Sequence, residues 1–130
     1  KGKFYLFVKS NPNPDNLLLL VSDHVNGKFE RVEGFDDSMG AQTKGMYEAP
    51  TAVKLADGRW CLFADFYGAG CAGQGYVPFV SDDLTKGVFT RADEAFHFPY
   101  GFKHGTILPI TEEEYERMLA RDWTDVPDLR

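Results

Sequence analysis

Hydrophobic and polar positions alternate in short runs along the middle of the chain, with turn residues between the runs. The clearest runs are rich in β-branched and aromatic side chains and lie at residues 51–55, 59–65, 76–80 and 88–91. The segments between them are typical turn sequences, at residues 57–58, 68–75 and 81–83. Runs of this length between such turns predict β-strands. We therefore expect a four-stranded antiparallel meander there.

The chain also repeats itself. GKFYLF at residues 2–7 recurs as GRWCLF at 58–63, VSD at 21–23 recurs at 80–82, and FER at 29–31 recurs as FTR at 89–91. The matches keep their order, at offsets of 56, 59 and 60 residues. Four antiparallel strands per repeat is the unit of a β-propeller blade. We therefore predict an all-β fold, a partial β-propeller of about two and a half four-stranded blades. A β-sandwich made from a duplicated meander is the alternative.

The repeat divides this single domain into three parts. Residues 1–45 are expected to end one blade, residues 46–100 to form a complete blade, and residues 101–130 to start the last blade and add a helix. Thr111 and Glu114 have the spacing of a capping box, which predicts the start of a short C-terminal helix. An apolar stripe follows at helical spacing and is interpreted as a packing face, at Tyr115, Met118 and Leu119.

Composition narrows the classes of function. The 130 residues contain 14 Lys and Arg against 20 Asp and Glu, a net charge of −6, with no basic run. We therefore expect no nucleic-acid partner. The longest apolar run, at residues 17–21, is far shorter than the roughly 20 residues that span a bilayer, so we expect no membrane partner either. The chain begins at Lys1, and its compartment, cytoplasmic or secreted, stays open. Cys61 and Cys71 lack metal-ligand spacing and are interpreted as unpaired thiols.

Two residues stand at matching places in successive repeats. Glu48 opens the complete repeat beside Tyr47, and His104 opens the third copy. In a propeller these positions face the axial channel, so both side chains are predicted to line one pocket. Desolvation by Tyr47 and nearby rings would raise the pKa of Glu48, which suits a general acid. The alternatives are a solvated loop glutamate and a hydrogen-bonded structural histidine.

The remaining polar and aromatic candidates are weaker. Asp65 ends a strand and is either a further channel residue or structural, and the aspartates at 23, 82 and 83 are interpreted as turn residues. Five rings are candidate sugar-stacking surfaces or core residues: Tyr47, Phe66, Tyr67, Tyr100 and Phe102. His24 and His97 are assigned no function. No histidine pair has metal-ligand spacing with an acidic residue, so no catalytic metal is expected.

Several motifs together resemble the family 43 glycoside hydrolases, five-bladed propellers that act on arabinose- and xylose-containing glycans. The matching stretches are EAPT at 48–51, DGRWCLF at 57–63, SDDL at 81–84, FP at 98–99, KHGT at 103–106 and IT at 110–111. The resemblance implies that Glu48 is the general acid and that His104 lies at the channel centre. It implies no required cofactor, and allows a structural calcium or other cation near His104. The family more often has arginine where Lys103 stands. The lysine has a single ammonium group in place of the planar guanidinium group, which can bind two oxygens at once.

The resemblance also implies an inverting mechanism with one carboxylic acid and one carboxylate base. The family's base and its tuning aspartate lie in earlier blades and have no counterpart here. We therefore expect a C-terminal propeller fragment that carries the acid, lacks the base and is inactive alone. The alternatives are a non-catalytic carbohydrate-binding β-domain and an assembly module. Open sheet edges favour pairing, either as a homodimer or with a missing N-terminal half.

Overall fold

The strands form two antiparallel sheets. The structure is a computed structural model that describes residues 2–10, 17–42, 47–67, 75–96 and 102–121. The first sheet has the order β1-β2-β3, with β1 at Phe4–Lys9, β2 at Leu17–Ser22 and β3 at Glu30–Arg31. The second has the order β4-β5-β6-β7, with strands at Tyr47–Lys54, Trp60–Phe66, Gly75–Ser81 and Thr90–Arg91. The expectation of a mostly β fold with a four-stranded meander is therefore confirmed.

The sequence repeat corresponds to equivalent strands in the two sheets. β1, β2 and β3 occupy the places of β5, β6 and β7, and the registers agree, since Phe4 pairs with Ser22 as Trp60 pairs with Ser81. Both serines are buried, and each hydroxyl accepts a hydrogen bond from the backbone N–H two residues on, at 3.3 Å. Such serine turns end a strand without leaving a buried hydroxyl unpaired. The same turn chemistry therefore closes the second strand of the repeated unit in each sheet.

A helix that the strand pattern does not predict follows the first sheet. Helix α1 (Phe35–Gln42) begins after Gly34, whose φ is 81°. Phe35 and Met39, four residues apart on one face, are both buried in the core. Ser38 lies between them and joins α1 to the segment before β7, because its hydroxyl donates to the Phe89 carbonyl and accepts from the Phe89 N–H, both at 2.9 Å. Residues 1–45 thus contain a helix in addition to strands.

The predicted C-terminal helix is confirmed as α2 (Glu112–Ala120). Thr111 caps it, and its reciprocal hydrogen bonds with Glu114 complete the capping box. The stripe on this helix is not a packing face within the described part of the chain. Tyr115 is 47% exposed, Met118 50% and Leu119 62%. No helix among the described residues has the length and apolar character needed to cross a membrane.

The larger of two hydrophobic clusters among the described residues is shared by both sheets. Its centre is a cluster of three phenylalanine rings in edge-to-face contact, one from β1 (Phe7), one from α1 (Phe35) and one from the segment before β7 (Phe89), with centroids 5.5–5.9 Å apart. Such aromatic pairs contribute about 0.5–1.5 kcal/mol beyond their buried area. Buried side chains from β2, β5 and β6 surround this cluster, including Leu19, Leu62 and Phe79.

The start of the third copy is an extended segment. Residues 102–110, all described, contain no strand. The segment is nevertheless attached to β6. The Tyr76 backbone N–H donates to the Phe102 carbonyl at 3.1 Å, and the Tyr76 hydroxyl donates to the Gly105 carbonyl at 2.7 Å. This attachment brings His104 to the same end of the second sheet as Glu48.

Candidate active site

Glu48 lies at a distortion near the start of β4. It pairs with Asp65 of β5, and the register then shifts between Glu48 and Thr51. Ala49 has a φ of 45°, and Pro50 has no N–H to donate to the sheet. A β-bulge at such a place redirects the neighbouring side chain out of the regular pleat. The Glu48 side chain is 27% exposed as a result, so its carboxylate is accessible to a ligand.

His104 lies between two carboxylates. Its backbone N–H donates to Asp65 Oδ2 at 3.0 Å, and its ring Nδ1 lies 3.5 Å from the same oxygen. Its Nε2 lies 3.8 Å from Glu48 Oε1. The side chain is 58% exposed, so one ring edge faces the carboxylates while the rest is open to solvent. The structure therefore brings Glu48 and His104 together, as their matching positions in the repeat predict.

Asp65 is the buried support of this arrangement. Its side chain is fully buried, and Oδ2 receives the His104 N–H. Its other oxygen, Oδ1, is also buried and accepts no hydrogen bond from the described residues. Burying a carboxylate is unfavourable unless hydrogen bonds or charges compensate it. Asp65 is therefore both structural and part of the site, because it holds the backbone of His104 in place.

Tyr76 fixes the segment that carries His104. Its hydroxyl donates to the Gly105 carbonyl and also accepts the Gly105 N–H, so both polar groups of that residue are used. The Tyr76 ring also packs against Phe102, with centroids 6.1 Å apart. The position of Tyr76 in a strand gives no sequence signal for this role, because it depends on where the segment after residue 101 returns.

Lys9 is the functional residue that the sequence motifs miss. It ends β1 in the other sheet, and its Nζ lies 2.9 Å from Glu48 Oε2. The same Nζ lies 4.7 Å from the centroid of the Tyr67 ring, a cation–π distance. The ion pair spans 39 residues of sequence, so no local pattern indicates it.

The expectation of a raised pKa for Glu48 is wrong. The hydrogen bond from Lys9 lowers the pKa of Glu48 below its ordinary value of 4.5, and it outweighs the opposing effect of burial. The charges of Lys9, His104 and Lys103 act in the same direction. The Tyr47 ring turns into the core, where it is 3% exposed and packs against Phe66 and Phe79.

The other predicted rings are divided between the core and the site. Phe66 packs on Tyr47, whereas Tyr67 lies under the Lys9 ammonium and Phe102 is 47% exposed beside Tyr76. Lys103 is exposed next to His104. Tyr100, His97, Cys71 and residues 98–99 lie outside the described residues.

The remaining candidates have no place in this site. His24 lies in an exposed turn, as does Asp23, which pairs with Lys3 at 3.3 Å. Asp83 has the predicted turn role, since its side chain accepts the Thr85 N–H at 2.9 Å and caps a 3₁₀ turn at Leu84–Lys86. Cys61 is a free, buried thiol, and burial raises its pKa to about 12. Cys61 is therefore unreactive at neutral pH.

The cation that the resemblance allows near His104 does not fit the described residues. No three His, Cys, Asp or Glu side chains among them converge as metal ligands. The Lys9 ammonium already neutralises Glu48, and the unpaired oxygen of Asp65 is buried away from the accessible side of the site. The accessible chemistry is therefore that of one carboxylate, one imidazole and two ammonium groups.

Comparison with known proteins identifies the family. The model of a family related to glycoside hydrolase family 43, described as "Probable glycosyl hydrolase domain", matches residues 1–116. No curated protein and no solved structure gave a match. The matched region contains Lys9, Glu48, Asp65 and His104, and it covers the seven strands found among the described residues. Because the match spans most of the chain, the protein belongs to this family of glycosyl hydrolase domains related to family 43.

Proposed function

We propose that the chain supplies the general acid of an inverting glycosidase site that acts on arabinose- or xylose-containing glycans. In this proposal Glu48 protonates the glycosidic oxygen, and a carboxylate outside these residues activates the attacking water. We further propose that β4–β7 form one complete blade of a five-bladed propeller, between the end of the preceding blade and the start of the last. Membership of the family and the order of the four strands support this placement.

The position of Glu48 is the observation that carries the proposal. A general acid has to come within hydrogen-bond distance of the leaving-group oxygen. Glu48 is partly exposed at the bulged start of β4, and the half-exposed ring of His104 lies 3.8 Å away. The exposed face of Phe102 offers a stacking surface for a sugar ring, and Lys103 and His104 offer hydrogen-bond donors for hydroxyl groups.

The burial of Asp65 supports a base from elsewhere. An inverting site needs a second carboxylate with room for a water molecule between the two groups. Asp65 is the other carboxylate that lies beside His104. Its side chain is fully buried, however, and its Oδ2 accepts the His104 N–H. It therefore has no open face on which to hold an attacking water. We expect negligible hydrolysis by the isolated chain.

Azide tests the proposal, because this small anion can replace the missing activated water. We expect the chain to release phenol from phenyl arabinofuranoside or xyloside only when azide is added. Glu48→Gln should abolish that release, since phenol, which carries no nitro group, leaves poorly without a proton. Release from the dinitrophenyl glycoside should persist, because its leaving group needs no acid. The matched control is Glu116→Gln on the exposed face of α2, which should change neither reaction.

Two outcomes contradict the proposal. Vigorous hydrolysis without azide would show that a base is present, and azide-dependent release that survives Glu48→Gln would remove Glu48 as the acid. Absence of release from both glycosides, with calorimetric binding of arabino- or xylo-oligosaccharides retained, would support a non-catalytic carbohydrate-binding domain instead.

One observation favours that binding alternative. Lys9 keeps the pKa of Glu48 low, and an ionised carboxylate is a good acceptor for sugar hydroxyl groups. In either role the ligand class is the same, a glycan that contains arabinose or xylose. Pairing of the chain with a second copy, or with an N-terminal half that completes the ring, stays a prediction.

A further inference from the structure

The ion pair between Lys9 and Glu48 joins the two sheets at the candidate site. Lys9 is the last residue of β1, and Glu48 is the second residue of β4. Their side chains are 30% and 27% exposed, so the pair is shielded from water over most of its surface. An ion pair in such a place is stronger than one on the open surface, because solvent screens it less.

Charged and titratable groups from several elements face Glu48. Lys9 comes from β1, Asp65 and Tyr67 from β5 and the residue after it, and Lys103 and His104 from the segment after residue 101. Of these, Lys9 makes the hydrogen bond to the carboxylate at 2.9 Å, whereas His104 Nε2 lies 3.8 Å away. Lys9 is therefore the dominant partner of the Glu48 charge.

We infer that Lys9 is a positioning residue that keeps Glu48 ionised, so that Glu48 donates a proton only after Lys9 has been drawn away. The catalytic meaning of this inference rests on the proposed function, whereas the pairing itself does not. A carboxylate in a charge-assisted hydrogen bond with an ammonium is poorly able to take up the proton that it must later deliver. In its resting state the site therefore binds through Glu48 but does not protonate.

The Tyr67 ring provides a second resting place for the ammonium. Lys9 Nζ already lies 4.7 Å from its centroid. The ring face attracts a cation but carries no net negative charge, so the ammonium group is not neutralised there. A ligand that displaces Lys9 from Glu48 can leave the ammonium on this ring, so the lysine does not need to move into bulk water. Glu48 can then gain a proton.

Titration of the Glu48 carboxyl carbon by nuclear magnetic resonance tests the inference directly. In Lys9→Met, which keeps most of the side-chain volume, the midpoint should rise, because the carboxylate loses its hydrogen-bonded ammonium. Lys9→Arg keeps the positive charge and should leave the midpoint low. The matched control is Lys3→Met, just before the start of the same strand, because Lys3 pairs with Asp23 at that end and should not affect Glu48.

The reciprocal measurement keeps the inference testable if Lys9→Met does not fold. Glu48 raises the pKa of Lys9, so Glu48→Gln should lower the titration midpoint of the Lys9 ammonium. Unchanged midpoints in both experiments would overturn the inference. Neither titration depends on turnover. The glycosidase proposal can therefore fail while both titrations give the expected shifts, so the failure of one proposal is distinguishable from the failure of the other.

Discussion

At the scale of single residues, the candidate site depends on Asp65, whose side chain is fully buried and out of reach of a ligand. Asp65 takes the backbone N–H of His104 while its second oxygen stays buried without a partner. His104 has a φ of 45°, a left-handed conformation that is unfavourable for a residue with a side chain. The hydrogen bond to Asp65 offsets part of that strain. Asp65 therefore contributes to the site by fixing the backbone of its neighbour.

We expect Asp65→Ala to destabilise the protein by about 1–3 kcal/mol, because the His104 N–H loses its acceptor inside the fold. Asp65→Asn keeps an acceptor oxygen for that N–H, so it should cost less than the alanine variant. Urea unfolding measures both. Asp82→Ala in the exposed turn is the control and should be nearly neutral. Equal losses in the alanine and asparagine variants would contradict this role.

At the scale of elements, the start of α1 lies against a turn of the second sheet. Gly87 ends the 3₁₀ turn at Leu84–Lys86 with a φ of 67°. A Cβ at this position would lie 2.8 Å from the Glu33 carbonyl oxygen and 2.8 Å from the Phe35 nitrogen. Both neighbours are backbone atoms, which cannot rotate away. The packing of α1 on the second sheet therefore requires glycine here.

We expect Gly87→Ala to lower the free energy of unfolding by more than about 1 kcal/mol, through both the left-handed backbone and the overlap. Gly40→Ala is the matched control, since Gly40 lies in α1 with open space at its Cβ. It should raise stability by up to about 1 kcal/mol, because alanine is the better helix former. Thermal unfolding of the two variants checks both signs, and a neutral Gly87→Ala would show that the two elements can separate.

The strands were predictable from sequence, but α1 and the Lys9 ion pair were not. Strand-forming runs between turn residues carry a local signal, and the repeat adds a second copy of it. Among the side chains of α1 that the structure describes, Phe35 and Met39 are the apolar core residues, and two positions are too few to show a helical period. Lys9 reaches Glu48 from the other sheet, so the charge state of Glu48 depends on tertiary packing. The capping box of α2 was readable because Thr111 and Glu114 satisfy each other locally.

At the scale of the whole molecule, the fold holds a set of carboxyl groups in their ionised form. Hydrogen bonds lower the pKa of four of them: Lys9 acts on Glu48, Arg59 on Asp57, Thr85 on Asp83 and Thr111 on Glu114. Burial acts in the opposite sense on two weak acids, raising the pKa of the Cys61 thiol to about 12 and also raising that of Tyr47. Stability should therefore depend on pH at both ends of the range.

We expect a plateau of stability from about pH 5 to pH 9. A carboxyl group whose pKa is lower in the folded protein stabilises the fold at pH values above its unfolded pKa, which is 4.5 for Glu and 3.8 for Asp. This stabilisation is lost as the pH falls below the unfolded pKa. The buried thiol of Cys61 stabilises the fold at pH values below its unfolded pKa of 9.0. This stabilisation is lost as the pH rises towards 12. Urea midpoints across the pH series check both arms. Cys61→Ala should make the alkaline arm shallower without removing it, because Tyr47 also contributes to that arm, and it should leave the acidic arm unchanged. Unchanged midpoints from pH 5 to pH 3 would contradict the acidic arm.

The three-ring cluster has a consequence for what counts as a unit of this molecule. In arrays of repeats each unit has its own stability, and neighbours add interface energy. Here Phe7 and Phe35 come from the first half of the chain and Phe89 from the second. Each ring is in edge-to-face contact with the other two. Separating the halves would expose the centre of both. We therefore expect the two sheets to unfold together as one cooperative unit, although the sequence divides into repeats.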